Sequence, residues 1–289
     1  VDNIKFIKVK TEWTGGPNSE NGAYGLYPVE STNVLIDECV AIGASDAGIY
    51  VGQSQKIVVK NSTAEFNVAG IEIENSYYAD VYNNTATNNT GGILVFDLPS
   101  LPQQGGHHVR VFDNNIVNNN TDNFAPEGNI VGEVPRGTGV LVQANSDVEI
   151  FNNNIGGNET INVAVVTYSY ETDDAQYNPH PSRIQIHGNK FSKSGHNPDL
   201  ETGELAKILY ELSDGNMPDI FWDGVVPVSK IFSSKTKKET IILGDNGDAT
   251  FLTINPLKYI LPLIDPVVRD YDWYIGGISP LEKVVLSEE

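Results

Sequence analysis

The stretch Gly48-Ile49-Tyr50-Val51-Gly52-Gln53-Ser54 is a motif that the chain makes repeatedly. It consists of a glycine, two apolar residues separated by one outward-facing position, and a polar turn. Further copies begin at Gly25, Gly70, Gly92, Gly139 and Asn162. Steps of 22 residues separate Gly48 from Gly70 and Gly70 from Gly92. Self-similarity at a fixed period of about 20 to 50 residues indicates a solenoid, so the sequence predicts an all-β solenoid of stacked coils.

Small polar side chains recur at two turns of each coil. They form one column at Cys39, Ser62, Asn84, Asn114, Asn153 and Asn189, and a second at Ala44, Asn67, Asn89, Asn119 and Asn158. A side-chain amide can donate to its neighbour on one side and accept from the neighbour on the other. We therefore predict two asparagine ladders, and an interior file made by Ile49, Ile71, Ile93 and Val140.

This pattern resembles the right-handed parallel β-helix repeat proteins, the pectate lyase-like group that also holds alginate lyases and epimerases. The resemblance covers about residues 1–195. Four segments, Gly43 to Ser54, Asn67 to Asn75, Asn88 to Pro99 and Asn123 to Val131, are similar to an exported bacterial branch without an established activity. The resemblance implies a right-handed parallel β-helix and an extracytoplasmic location, which is periplasmic, cell-surface or secreted. It also implies a c-type cytochrome-like protein as a candidate partner.

The composition excludes several kinds of partner. The 289 residues include 38 Asp and Glu against 18 Lys and Arg, for a net charge of −20. Such a surface repels nucleic acid and anionic membranes, and it disfavours an anionic polysaccharide unless cations bridge the two. The single cysteine, Cys39, excludes an intrachain disulfide, and no apolar run is long enough for membrane insertion. Strand alternation already begins at Ile4, so we expect further coils, an export signal or a covering partner before residue 1.

After Phe191 the repeat fades. We predict a β-helix over residues 1–195 and, over 196–289, a C-terminal cap of mixed helix and hairpin packed on the solenoid end. The helix is expected between Pro198 and Ser213, and the hairpin around the turn Asn246-Gly247. A separate carbohydrate-binding module over 196–289 is the alternative.

Two insertions break the period, at 97–108 and at 121–138, and both are rich in glycine and proline. We expect them to wall off a patch of the lateral surface, where the outward positions of the repeated strand form a stripe. The residues predicted to bind substrate on this stripe are Tyr27, Tyr50, Glu72, Glu74, Phe96, Gln143 and Tyr168. Aromatic faces cover the apolar faces of sugar rings, and carboxylates accept hydroxyl protons. The alternative is a solvated sheet face with ordinary strand-forming residues.

Candidate catalytic residues are Asp97, His107 and Arg136, because β-elimination needs a base and neutralisation of the uronate. Two of them also have a structural alternative: a loop end for His107, and an ion pair with Glu127 or Asp97 for Arg136. Clustered oxygens of Glu72, Glu74 and Asp97 would suit calcium. The Gly-His-Gly and Asp-Pro-His motifs of enzymes with this fold are absent.

Two functions from different classes remain open. The first is binding of a polysaccharide, with lyase-like or epimerase-like processing, between loops 97–108 and 121–138. The second is a non-catalytic solenoid that docks a protein partner, either the cytochrome-like protein or copies of itself. A scaffold does not imply a chemistry, so the sequence leaves open whether the protein is an enzyme.

Overall fold

The computed structural model describes residues 1–231, 239–255, 257, 263 and 265–287. Each coil contributes three short strands, and strands one coil apart pair in parallel. The first strands in chain order are β1 (Asp2–Ile7), β2 (Lys10–Glu12), β3 (Tyr24–Leu26), β4 (Thr32–Asp37), β5 (Val40–Ile42), β6 (Ala47–Gly52), β7 (Gln55–Lys60), β8 (Thr63–Glu65), β9 (Ala69–Glu74), β10 (Tyr77–Tyr82), β11 (Thr85–Thr87) and β12 (Gly91–Phe96).

The remaining strands carry the coil beyond the two insertions. They are β13 (His107–Phe112), β14 (Asn115–Val117), β15 (Thr138–Gln143), β16 (Ser146–Phe151), β17 (Asn154–Gly156), β18 (Ile161–Val166), β19 (Ser182–His187), β20 (Lys190–Phe191), β21 (Ile220–Trp222), β22 (Ile241–Leu243), β23 (Phe251–Ile254) and β24 (Val267–Val268). The α-helix α1 spans Glu204–Leu212, and short 3-10 helices lie at Ile130–Glu133, Val228–Lys230 and Tyr271–Tyr274.

The strands form three sheets along the axis of a parallel β-helix. Sheet A is β1-β4-β7-β10-β13-β16-β19-β22, sheet B is β2-β5-β8-β11-β14-β17-β20, and sheet C is β3-β6-β9-β12-β15-β18-β21-β23-β24. The pairing within sheet C is parallel from β3 to β23, and β24 is antiparallel. Successive strands of one sheet lie about 4.8 Å apart, so residues one coil apart in sequence become neighbours along the axis.

The predicted interior file is confirmed. Ile49 pairs with Ile71, Ile71 with Ile93, and Ile93 with Val140. All four side chains are fully buried in one core that runs the length of the coil. The inward-facing side chains of all three sheets meet in this core. For this reason every sheet carries Val, Ile or Ala at its inward positions.

Both asparagine ladders are confirmed. In the first, Nδ2 of Asn84 donates to Oδ1 of Asn114 at 3.1 Å, and Nδ2 of Asn114 donates to Oδ1 of Asn153 at 3.0 Å. The same contact continues through Asn189 to Asn246, one position further than the sequence predicted. The second ladder runs from Asn67 to Asn158. Cys39 is buried in the first column as a small side chain.

The C-terminal region differs in part from the sequence-based prediction. The helix is confirmed as α1, but the predicted hairpin is wrong: β22 and β23 flank the Asn246-Gly247 turn without pairing with each other. Instead β22 extends sheet A and β23 extends sheet C. The physical reason is that the coil continues past residue 195, so each strand pairs with the coil beneath it rather than with its neighbour in sequence. Among the described residues, no helix is long and apolar enough to cross a membrane.

Candidate functional site

The predicted stripe lies on the outer face of sheet C, but over most of its length it is covered. Tyr50, Phe96 and Leu141 are buried within a second hydrophobic cluster outside the coil. The cover consists of the second insertion, whose Val131 and Val134 pack on the face, and of α1, which contributes Leu209. The predicted substrate-binding stripe is therefore not exposed along this part of the face, because the insertion folds over the strands instead of standing beside them.

At the N-terminal end of the same face, aromatic and acidic side chains meet. We call this group the tyrosine–carboxylate cluster; it comprises Tyr24, Tyr27, Tyr50, Asp46, Glu72 and Glu74. The ring centroids of Tyr24 and Tyr27 are stacked at 4.3 Å, and Tyr50 lies 4.7 Å from Tyr24 and 5.1 Å from Tyr27. Tyr27 is 52% exposed, so the cluster reaches the surface at this ring.

The stacking of coils explains why these residues meet. Tyr50 of β6 is the register partner of Glu72 of β9, and both point out of the coil. Leu26 pairs with Ile49, so the next residue, Tyr27, lies beside Tyr50. Sequence reasoning identified four members of the cluster but missed Tyr24 and Asp46. Tyr24 could have been found from the sequence, because Gly25 and Gly48 begin equivalent copies of the motif. This makes Tyr24 the equivalent of Ala47, with which it pairs in the structure.

Hydrogen bonds tie the carboxylates to the tyrosines and to the second insertion. The Tyr50 hydroxyl donates to Glu74 Oε1 at 2.5 Å, and Gln53 Nε2 donates to the same oxygen at 3.0 Å. Asn129, from the second insertion, donates to Asp46 Oδ2 at 3.2 Å. Oε2 of Glu72 is buried without a hydrogen-bond partner among the described residues. The insertion therefore closes the cluster on one side, and Tyr27 leaves it open on the other.

Burial determines the electrostatics of the cluster. It raises the pKa of Glu72 well above the usual range, and the neighbouring Glu74 and Asp46 raise it further. Burial also raises the pKa of Asp46 to about 6 and raises that of Glu74. Within the described part of the chain, none of these three carboxyls forms an ion pair with Lys, Arg or His. Burial without a cationic partner therefore favours the protonated forms of these three carboxyls.

Asp97, predicted to be catalytic, shapes the first insertion. It directly follows β12 and is buried, and its Oδ1 and Oδ2 accept the backbone N–H groups of Gly106 at 2.7 Å and Gly105 at 3.1 Å. Its backbone oxygen accepts the hydroxyl of Tyr177 at 2.5 Å. Burial raises the pKa of Asp97 to about 6. These bonds hold the loop 97–106 in place.

The structure does not bring Asp97, His107 and Arg136 together. His107 begins β13 in sheet A, where its ring is stacked on Tyr77 at 4.3 Å. Arg136 lies just before β15 and binds Glu159 at 2.7 Å and Asp122 at 3.3 Å. Asp97 follows the end of β12, whereas Arg136 precedes the start of the neighbouring β15, so a strand length of roughly 17 Å separates the two positions. The predicted catalytic set is thus corrected: the three residues belong to three separate environments.

The predicted metal ligands likewise do not form one site. Glu74 binds Tyr50 and Gln53, whereas Asp97 binds the backbone of its own loop. Across the described ranges, no three His, Cys, Asp or Glu side chains converge as a metal site would require. The predicted calcium site at Glu72, Glu74 and Asp97 is therefore not formed.

The other predicted binding residues lie at the far side of the second insertion. Phe96 and Gln143 line a cavity of about 300 Å³ beside α1, which we call the α1 cavity. Tyr168 lies further along the face, with its ring 5.4 Å from those of Tyr170 and Tyr177 in edge-on contacts. The second insertion thus divides the predicted stripe into two parts, the tyrosine–carboxylate cluster and the α1 cavity.

Comparisons with known proteins agree with the observed fold. A family model described as a right handed beta helix region matches residues 3–191. This match confirms the right-handed coil that the family resemblance implied. Among curated proteins, none matches the chain.

The chain is similar to several solved structures at low identity. The A-module of mannuronan C-5 epimerase AlgE4 from Azotobacter vinelandii is 15% identical with a TM-score of 0.50, over 83% of this chain and 53% of that one. A mutant of the periplasmic alginate epimerase AlgG is 16% identical with a TM-score of 0.43, over 70% and 45%. An alginate lyase from Paenibacillus sp. is 11% identical with a TM-score of 0.43, over 86% of both chains. The chain thus spans about half the length of the two epimerase structures.

Proposed function

The chain belongs to the right-handed β-helix family, and we propose that it binds a polysaccharide at the tyrosine–carboxylate cluster. The observation that supports this proposal is the exposed Tyr27 ring, stacked on Tyr24 and adjoining the hydrogen-bonded pair Tyr50 and Glu74. An exposed aromatic face covers the apolar face of a sugar ring, and carboxyl groups beside it bind sugar hydroxyls. Both kinds of group lie together here, with Tyr27 at the surface and the carboxyl groups buried behind it.

The charge of the cluster favours a particular class of sugar. Asp46, Glu72 and Glu74 are acidic, and the whole chain has a net charge of −20. A polyuronate would be repelled by like charge. We therefore propose a neutral or amino-sugar polymer as the ligand, rather than the alginate on which the similar solved structures act by their names.

Proton exchange is the chemical step that this arrangement supports. Burial raises the pKa of Asp46 to about 6, so this carboxyl changes its charge close to neutral pH. A group that titrates near the working pH is suited to general acid–base work. The test of function must therefore measure new chain ends as well as binding.

The experiment is binding of the protein to immobilised xylan, a neutral glucan, chitosan, alginate and polygalacturonate, with calcium and with a chelator. We expect retention on the neutral or amino-sugar polymers, and a Tyr27→Ala variant should bind them about three- to tenfold more weakly because it loses the stacking face. The matched control is Tyr78→Ala, a tyrosine 44% exposed on sheet A, which should bind as the unchanged protein does.

Two results would contradict the proposal: no retention on any polymer, or equal binding by the Tyr27→Ala protein. The same assays separate binding from processing, because new reducing or unsaturated ends would establish an enzyme. Co-purification of a cytochrome-like protein or of a second copy, without polysaccharide binding, would favour the docking function instead. That partner and the extracytoplasmic location stay predictions.

A further inference from the structure

The α1 cavity lies on the outer face of sheet C. It lies between the second insertion, the end of β18 and α1, and its volume is about 300 Å³. Phe96, Leu141, Val166 and Phe221 form an apolar floor of strand residues, and Leu205 of α1 lies against it. Small-molecule sites in proteins begin at about this size and combine apolar walls with a few polar groups.

Carboxyl and amide oxygens supply several of the hydrogen-bond acceptors that line the cavity. Oε1 of Gln143 is buried and has no hydrogen-bond partner among the described residues. Asp223 lies in the wall, where its carboxylate accepts the backbone N–H groups of Thr167 at 2.6 Å and Val225 at 3.1 Å. A buried acceptor without a donor is unfavourable, so a ligand that donates a hydrogen bond to Gln143 would remove that cost.

The mouth of the cavity is acidic. Tyr170 and Ile208, each 46% exposed, mark where it meets solvent. Glu133 is exposed at this mouth, and Glu204 also lines the cavity but forms an ion pair with Lys207 at 3.2 Å. Of the described residues that line the cavity, none is Lys, Arg or His. A cation therefore meets no like charge among the lining residues, whereas an anion would meet several carboxyls.

We propose that the α1 cavity binds a small amphipathic cation, a primary ammonium group carried on a short aliphatic body. The aliphatic body contacts Phe96 and Leu141. The ammonium group donates to Gln143 Oε1 and is attracted by the carboxyls of Asp223 and Glu133. This site is separate from the tyrosine–carboxylate cluster, because the second insertion lies between the two.

Calorimetric titration of the full chain at neutral pH with n-hexylamine, n-hexanol and n-hexanoate tests the proposal. All three probes share one apolar body and differ in charge and in hydrogen-bond donors. We expect hexylammonium to bind at least tenfold more tightly than hexanol, and hexanoate not to bind. Equal affinity for hexylammonium and hexanol, or no binding of hexylammonium, would overturn it.

Variants locate the binding. Glu133→Gln and Gln143→Leu should each weaken hexylammonium binding by about threefold or more, and Ile208→Trp should weaken it by closing the mouth. Glu127→Gln, an exposed carboxyl of the same insertion outside the cavity, should leave the affinity unchanged. Unchanged affinity in both Glu133→Gln and Ile208→Trp would place the ligand elsewhere and refute the assignment. Because Glu133 and Ile208 are exposed, these variants are expected to fold, and thermal unfolding verifies that they do.

The two proposals can fail independently. Tyr27→Ala should retain full affinity for hexylammonium, because Tyr27 does not line the α1 cavity. Glu133→Gln should retain polysaccharide binding. A chain that binds hexylammonium but no polymer would refute the proposed function and leave the α1 cavity assignment standing.

Discussion

The backbone N–H of Val284 donates to Oδ2 of Asp80 at 3.2 Å, although 204 residues separate them in the chain. Asp80 lies on the outer face of sheet A and is fully buried. Three similar bonds flank this one, from the backbone N–H groups of Ser279 to Gln185, Leu281 to Glu149, and Ser287 to Asn33. The segment 279–287, the C-terminal strap, thus runs across sheet A from β19 to β4.

The strap matches the spacing of the coils. Eight steps along an extended chain from Ser279 to Ser287 cover roughly 26 Å, and the five strand spacings from β19 to β4 cover roughly 24 Å. The strap therefore reaches an outward-facing side chain of sheet A at every coil or every second coil. The strap ties together coils that otherwise contact only their neighbours.

Replacement of Val284 by proline should destabilise the fold by about 1–3 kcal/mol, because it removes the N–H donor from a buried carboxylate. Chemical denaturation measures the loss. The matched control is Val285→Pro, because Val285 is 76% exposed. If both variants unfold at the same denaturant concentration, the bond to Asp80 does not contribute to stability.

Gly70 marks a second constraint, which comes from close approach between coils. A Cβ placed there would lie 2.6 Å from the backbone oxygen of Gly92 and 2.8 Å from Nδ2 of Asn89. Gly70→Ala should therefore cost about 1–3 kcal/mol through overpacking of the ladder. Gly277→Ala, where a Cβ would meet nothing within 4 Å, should leave stability unchanged or raise it by up to about 1 kcal/mol. Equal unfolding free energies for the two variants would contradict this explanation of the repeated glycine.

The features that the sequence predicted are those that follow the coil period. Ile71 and Asn119 recur in register with equivalent residues, so their neighbours along the axis could be named before the structure was known. The cover of sheet C could not be predicted, since the bond between Asn129 and Asp46 joins residues 83 apart that share no period. The bond between Asp80 and Val284 is aperiodic for the same reason. The outward positions of the repeated strand were predicted from the same period, whereas their exposure depended on where an insertion folds back.

Stability should fall as the pH rises from about 4 to about 6. Burial raises the pKa values of Asp46, Asp97 and Asp223 to about 6, from an ordinary value of 3.8. A carboxyl whose pKa is raised in the folded state stabilises that state at pH values below its pKa in the unfolded chain. This contribution is lost as the pH rises through its pKa in the folded state. Asp147 acts in the opposite direction: burial would raise its pKa, but the ion pair with Arg183 outweighs burial and lowers it.

Asp97→Asn isolates one of these groups. The variant should reduce the slope of unfolding free energy against pH by up to about 1.4 kcal/mol per pH unit between pH 4 and 6. Denaturation curves at several pH values give the slope, and Asp248→Asn, at an exposed turn residue, is the control. A slope unchanged by Asp97→Asn would mean that this carboxyl titrates at the same pH in the folded and unfolded chain.

Asn119 offers the most direct test of the ladder, because it is bonded on both sides. Its Nδ2 donates to Asn158 Oδ1 at 3.2 Å and to the backbone of Ala86 at 3.1 Å, and its Oδ1 accepts from Asn89 Nδ2 at 3.0 Å. The side chain is fully buried. Alanine at this position leaves a buried donor on one neighbour and a buried acceptor on the other, at about 1–3 kcal/mol for each unsatisfied group.

Asn119→Ala should therefore lower the unfolding free energy by about 2–5 kcal/mol, and Asn119→Ser should lower it by less. Serine occupies the same kind of position at Ser62, where its hydroxyl oxygen accepts the backbone N–H of Cys39 at 3.0 Å. Comparing the stability lost in the two variants distinguishes hydrogen bonding from packing. Serine and alanine leave cavities of similar size, but only serine has a side-chain oxygen that can accept a hydrogen bond. Equal losses for the two variants would mean that side-chain volume, rather than the chain of amide hydrogen bonds, is what the ladder contributes to stability.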